Sequence, residues 1–171
     1  MGKKDKGDEK TNVMRLLEQK KIPYQHYNYV DSGAVNGEEV AKALNMDPNQ
    51  VFKTLVTVGK TKAYYVFVLP VNKELNLKKA AAAVGEKSIE MLKLKDLLPL
   101  TGYVHGGCSP IGMKKAFPTV LHESCKNFET IMFSGGKIGY QVEVEPKQLE
   151  KFVRLTMADI VDDERRDIGE L

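Results

Sequence analysis

Residues 101–115, TGYVHGGCSPIGMKK, hold the densest group of side chains and backbone able to do chemistry in this chain. Gly106, Gly107 and Gly112 surround Pro110, with Cys108 and Ser109 between them, directly after a short strand-like piece at 102–105. Glycine lets backbone N–H groups come close to a ligand, and proline fixes the turn that aims them. Such a loop can hold a carbonyl oxygen or a phosphate without any charged side chain. A plain tight turn between two strands has the same composition, so the loop has to be weighed with the rest of the chain.

Two other places carry polar groups where a strand should be apolar. Lys53 lies inside VFKTLVTV, between Phe52 and Leu55, so its stem must cross packed surface and its ammonium must reach something. A lysine on the open side of an edge strand is the alternative. Ser134 stands in FSGGKIG, where Gly135 and Gly136 follow a strand. That second glycine turn can face the first across a sheet, or be an ordinary hairpin.

A nucleophile is harder to find. G-x-S-x-G is absent, because Ile111 stands where its second glycine should be. Cys108 with His105 has the right types for a dyad, but three residues apart on a turn does not ensure hydrogen-bond geometry. His105-x-x-Cys108 and His122-x-x-Cys125 are also pairs of the kind that ligate zinc, which keeps a metal site open as an alternative.

The elements that must position these residues follow from pattern. Thr11 caps a helix to about Lys21, with Val13, Met14, Leu16 and Leu17 on one face, and Pro23 ends it. Residues 24–29 read as a strand, and a short helix follows with Glu38 and Glu39 at its start and Val40, Ala41 and Leu44 turned inward. Residues 51–58 and 63–69 are β-rich runs joined by Gly59-Lys60-Thr61-Lys62, a hairpin at the centre of the sheet. Asn76 caps an alanine-rich helix that Gly85 closes, and a second helical stretch at 94–98 is closed by Pro99. Further strands are expected at 119–122, 130–133 and 138–144, the last alternating Tyr140, Val142 and Val144 on one face. Pro146 then opens a helix to about Val153. Helices and strands mixed without strict βαβ alternation predict an α+β fold.

With 171 residues and 42% hydrophobic content, the chain has enough apolar side chains for one core without staples. No apolar run approaches the roughly 20 residues that span a bilayer, and MGKKDKGDEK has charges where a signal peptide would be apolar. A cytoplasmic protein with free Cys108 and Cys125 is expected. The formal net charge of +3 is too near balance to argue for nucleic acid by itself, so any RNA contact would have to be local. Residues 1–10 are expected to be a disordered tail and 162–171 a frayed one, leaving 11–161 as a single domain.

The segments VFKTL, LNLKKAAAAVGEKSIEML, TGYVHGGCSPIGMKK and FETIMFSGGKIG together closely resemble the YbaK family of aminoacyl-tRNA deacylases, relatives of the editing domain inserted in bacterial prolyl-tRNA synthetase. The resemblance runs from about Thr11 to Asp162. It implies a single compact domain with a mixed, mostly antiparallel, barrel-like sheet flanked by helices. It also implies hydrolysis of tRNA charged with the wrong amino acid, chiefly Cys-tRNA(Pro). Lys53 would be the group's invariant lysine, and Gly106, Gly107, Cys108, Ser109 and Pro110 its G-x-x-x-P loop. Tyr29, Thr54 and Ser134 fall where the family lines its pocket, with Gly112, Gly135 and Gly136 beside them. Gln141 stands where some relatives place an aspartate, which removes a carboxylate from the site.

The resemblance further suggests that the substrate's own thiol attacks its ester carbonyl, so that the enzyme supplies orientation rather than a base. Backbone donors of the glycine loop would hold the developing oxyanion, at about 3–4 kcal/mol per donor. Lys53 would hold the ribose or phosphate of the terminal adenosine. The implied partner is charged tRNA, with prolyl-tRNA synthetase a candidate second partner, and no cofactor is needed. The alternative from another class is a tRNA- or nucleotide-binding module without turnover.

Overall fold

The computed structural model describes residues 9–163, and within them the chain begins with α1 (Asn12–Gln19). Thr11 caps it by accepting the Met14 N–H at 3.3 Å, and Val13, Met14 and Leu17 are buried on one face. Full burial of one such side chain stabilises by about 1.5–3 kcal/mol. After Pro23 comes β1 (Gln25–Asn28), then α2 (Gly37–Ala43), which starts at a capping box: Asn36 accepts the Glu39 N–H while Glu39 accepts the Asn36 N–H. β2 (Phe52–Gly59) and β3 (Tyr64–Pro70) form the expected hairpin, in register from Phe52↔Pro70 to Val58↔Tyr64. α3 (Leu77–Val84) is capped by Asn76 and closed by Gly85 in the left-handed region. The remaining elements are β4 (Ile89–Met91), α4 (Leu94–Thr101), β5 (Thr119–His122), β6 (Ile131–Ser134), β7 (Tyr140–Val144) and β8 (Leu155–Ala158). Short 3-10 helices sit at Val30–Ser32, Glu123–Asn127 and Pro146–Lys151.

The strands form two sheets rather than one. β1, β7 and β6 make an antiparallel sheet, and the other five follow the order β4-β2-β3-β5-β8. Within the larger sheet β2 pairs antiparallel with β3 and β4, while β5 pairs parallel with β3 and with β8. The two sheets touch at an isolated bridge, Val51↔Met132, where the Met132 N–H donates to the Gln50 carbonyl at 3.0 Å. Phe52, Phe133, Tyr140, Met14 and Leu149 fill the space between them. The α+β class is as expected, and the barrel-like closure is a seam of one bridge.

Several local expectations change. β4 and β8 are strands of three and four residues that the pattern does not announce. Residues 102–105 form no strand, Pro99 lies inside α4 instead of ending it, and Pro146 opens a 3-10 helix. Leu44 is the C-cap of α2. Most of the two expected tails lies outside the described residues. Glu9 and Lys10 are described, and they pair with Lys137 and Glu18. Among the described residues no helix is long and apolar enough to cross a membrane.

The shortness of β4 leaves part of β2 uncovered. β4 pairs with β2 only from Thr57 to Gly59, and the Leu92 N–H adds one bond to the Val56 carbonyl at 3.1 Å. Between that bond and the Val51 bridge, Lys53, Thr54 and Leu55 have, among the described residues, a ladder partner on the β3 side alone. The sheet edge is open there.

Candidate active site

An open cavity of about 640 Å³ begins at this gap in β2. Lys53 and Thr54 reach it from β2, Ser134 from the end of β6, and Gln141 from β7, where Ser134 and Gln141 are direct cross-strand neighbours. Tyr29, buried just after β1, adds an aromatic wall, and its N–H is held by the Gly139 carbonyl at 2.8 Å. From the opposite side come His105, Gly106 and Cys108 of the glycine loop. Chain segments far apart in sequence thus converge on one space.

The polar groups on its wall have capacity to spare. Lys53 is half-buried, and its ammonium has no hydrogen-bond or ion-pair partner among the described residues. Thr54 Oγ1 and Gln141 Oε1 are buried without a hydrogen-bond partner among the described residues. Leaving one such acceptor unmet costs about 1–3 kcal/mol, so a ligand that meets them gains that much. Ser134 Oγ accepts the Gly136 N–H at 3.0 Å and keeps its own proton to donate.

Gly106 sits at φ +92°, a conformation that L side chains rarely adopt. The N–H groups of Gly106 and Cys108 have no acceptor among the described residues, and both residues line the cavity. The N–H of Gly107 donates to the Val104 carbonyl at 2.9 Å, so it is not free for the donor role expected of it. Gly107 is needed for another reason: a Cβ there would lie 3.1 Å from the backbone nitrogen of Ile138. The loop is packed directly against the second glycine turn.

The remaining expected residues stand behind this wall. Ser109 is fully buried, and its Oγ accepts the Ile111 N–H at 3.3 Å. Pro110 and Gly112 face a separate cavity of about 190 Å³ beside Leu16 and Phe152. The Gly135 N–H donates to the Tyr140 carbonyl at 2.9 Å, and Gly136, at φ +94°, packs against Val13 and Tyr103. Met91 of β4, Leu94 and Leu97 of α4 and Leu92 between the two elements also line the main cavity. Sequence reasoning missed them; the one hint is that α4 repeats leucine on more of its surface than a buried face needs.

Burial pushes the Cys108 thiol up to about 12, and no hydrogen bond joins it to His105 among the described residues. A thiol held protonated is a poor nucleophile. His105, Cys108, His122 and Cys125 do not gather for zinc either, since among the described residues no three His, Cys, Asp or Glu side chains could hold a metal ion together. His122 instead accepts the Ile160 N–H at 3.3 Å beside β8, and burial holds its pKa below the ordinary value. Cys125 lies 3.7 Å from the sulfur of Met157.

Residues 32–152 match the model of the aminoacyl-tRNA editing domain family. A protein of Enterococcus faecalis named as a candidate Cys-tRNA(Pro)/Cys-tRNA(Cys) deacylase, EbsC, is 47% identical over 92% of this chain and 96% of its own length. A proline--tRNA ligase of Shouchella clausii is 31% identical over 64% of this chain and 19% of that enzyme. A solved structure described as a candidate trans-editing enzyme for prolyl-tRNA synthetase superposes with a TM-score of 0.78 at 25% identity, over 88% of this chain and 95% of that one.

Proposed function

We propose, from the premise that the chain belongs to the aminoacyl-tRNA editing domain family, that it is a trans-editing aminoacyl-tRNA deacylase acting in the cytoplasm, with residues 11–161 as its editing domain. Its substrates are mischarged Cys-tRNA(Pro) and, beside it, correctly charged Cys-tRNA(Cys), from which it releases cysteine. Prolyl-tRNA synthetase is the candidate partner that would hand over the first.

One observation carries the chemical part of this reading. Lys53 and the Gly106–Cys108 wall share a cavity with unmet hydrogen-bonding groups, yet no activated nucleophile lines it among the described residues. Burial keeps the Cys108 thiol protonated, so this cavity offers no thiolate of its own, and with Glu38, Glu39 and His105 also on its wall it is built to orient and stabilise an ester that the substrate's thiol attacks. The substrate's thiol attacks the ester carbonyl carbon, and the carbonyl oxygen takes the charge against the N–H groups of Gly106 and Cys108. The bond to the ribose oxygen then breaks, and that oxygen takes the proton the thiol gave up. The product is a cyclic thioester of cysteine, which water opens to the free amino acid. Lys53 holds the ribose or phosphate of the terminal adenosine, and Tyr29, Thr54 and Ser134 shape the space for the aminoacyl group.

The test is hydrolysis of Cys-tRNA(Pro), Ser-tRNA(Pro) and Ala-tRNA(Pro) by the purified protein. Hydroxyl is close to thiol in size, so a pocket alone rejects serine weakly. Thiolate reactivity separates them, because a thiol near pKa 8.5 is partly ionised at neutral pH and an alcohol is not. Fast release of cysteine with slow release of serine and alanine is expected. Tight binding without cleavage of any of the three would leave a binding module, and equal rates on cysteine and serine would remove substrate-thiol attack.

A further inference from the structure

The net charge of +3 conceals an uneven distribution across the larger sheet. At one edge, β8 runs into Asp159, Asp162 and Asp163, and Lys79 is held there by Asp159 at 2.9 Å and Asp163 at 2.8 Å. The opposite edge is β4, which pairs with β2 on one side only. Lys60 and Lys62 stand in the β2–β3 turn, Lys87 just before β4, and Lys93 and Lys95 at the start of α4. All five are exposed, and none has an ion-pair or side-chain hydrogen-bond partner among the described residues.

These lysines follow one line. The Lys60 N–H donates to the Ser88 carbonyl at 3.0 Å, which ties the turn to the head of β4. From Ser88 the chain reaches Met91 in three residues, about 10 Å at the usual strand rise. Met91 and Leu94 then form the rim of the main cavity. Met91, Leu94 and Leu98 are 43%, 68% and 52% exposed, so apolar surface alternates with positive charge along the track. Glu90 and Asp96 are the carboxylates along it, and neither is in an ion pair among the described residues. Glu86, which would add a third, is turned inward to accept from Thr61 and Tyr65.

Resting on the deacylase reading, we propose that the β4 edge and the start of α4 form the docking track for the RNA strand whose 3′ end enters the cavity. Lys60, Lys62, Lys87, Lys93 and Lys95 meet its phosphates, while Met91, Leu94 and Leu98 lie against ribose and base faces. Flexible point charges suit a backbone whose sequence need not be read, and backbone contacts set register without specifying bases. Charged tRNA is thus selected by its end and by its polyanionic strand, and the aminoacyl group is read separately inside the cavity.

The triple variant Lys60→Ala/Lys87→Ala/Lys95→Ala tests this, with Lys147→Ala/Lys151→Ala as a control elsewhere on the surface. Two substrates are compared: full-length Cys-tRNA(Pro), and the cysteine ester of adenosine, which has no strand to dock. The triple variant should raise KM for the tRNA about tenfold or more at about 0.1 M salt and flatten its salt dependence by about 2 to 3 in log–log slope. Its kcat, its turnover of cysteinyl-adenosine and its circular dichroism should stay as in the parent. An unchanged KM and slope would mean that the lysines only keep an edge strand from pairing, and would overturn the track. So would an equal loss on cysteinyl-adenosine, or an equal effect of the control pair. If the parent protein cleaves neither substrate, the deacylase reading fails by itself. The track is then read from the salt slope of uncharged tRNA binding, which the triple variant must still flatten.

Discussion

Residues 105–112 and residues 134–139 are both glycine-rich turns, yet their backbone donors end in different places. In the second turn the Gly135 and Gly136 N–H groups are taken by Tyr140 and Ser134, and the turn is closed on itself. In the first, the Gly107 and Ile111 N–H groups are taken by Val104 and Ser109, and those of Gly106 and Cys108, residues that line the cavity, have no acceptor among the described residues. One turn keeps donors without an acceptor among the described residues while the other packs against it, with Gly107 thin enough to let the Ile138 backbone sit against it. Glycine content marks both turns and distinguishes neither; the destination of each N–H does.

The strongest way to break this comparison is Gly107→Val. A Cβ already comes to 3.1 Å from the Ile138 nitrogen and 3.4 Å from two backbone atoms of Lys137, so a branched side chain has to push the two turns apart. Moving the donors of the first turn should cost about 100-fold or more in kcat, as losing an oxyanion donor does elsewhere. Parental kcat in a folded Gly107→Val protein would mean that the first turn presents nothing. Lys53→Ala comes next. The unpartnered ammonium adds little to folding, so the melting temperature should hold, while deacylation falls about 10- to 100-fold with the loss of one charged contact. Parental deacylation rates in that variant would remove Lys53 from the site.

How far the sequence reveals this site depends on what each residue does. Lys53 can be read because a cation inside an apolar run needs a destination. The Thr11 and Asn76 caps and the hairpin are equally legible, because each rests on local chemistry. The open edge of β2 is not, since it results from β4 stopping after three residues, and a three-residue strand leaves no period to detect. Pro99 misleads for a similar reason, as local chemistry ends the helix there but packing carries it on to Thr101. The shared role of Met91, Leu94 and Leu97 at the cavity depends on that same long-range geometry.

Gly136→Ala sharpens the comparison from the supporting side. At φ +94° an alanine is strained, and its Cβ would lie 2.8 Å from Val13 on the buried face of α1. A loss of about 1–3 kcal/mol in chemical denaturation is expected, from backbone strain and overpacking together. The kcat of the folded fraction should stay within a few-fold of the parent, because this turn lends no donor to the cavity. A catalytic loss as large as that of Gly107→Val, without loss of stability, would show that both turns present donors.

Cys108→Ala should have the smallest effect, and it asks whether the first turn contributes a side chain or backbone alone. Deleting one buried sulfur leaves a small void and lowers stability by about 1 kcal/mol, while kcat should stay within about threefold. The pH dependence gives a second reading. Burial pushes the Cys108 thiol up to about 12, so it stays protonated from pH 6 to 10 and adds no inflection there. A cysteine thiol on the substrate ionises near pH 8.5, so the rate on Cys-tRNA(Pro) should climb with pH up to about that value. That climb should persist unchanged in Cys108→Ala, because the group that titrates belongs to the tRNA's amino acid. If the variant is inactive and its residual rate has lost the inflection, the protein's own thiol makes the attack, and the first turn works through its side chain.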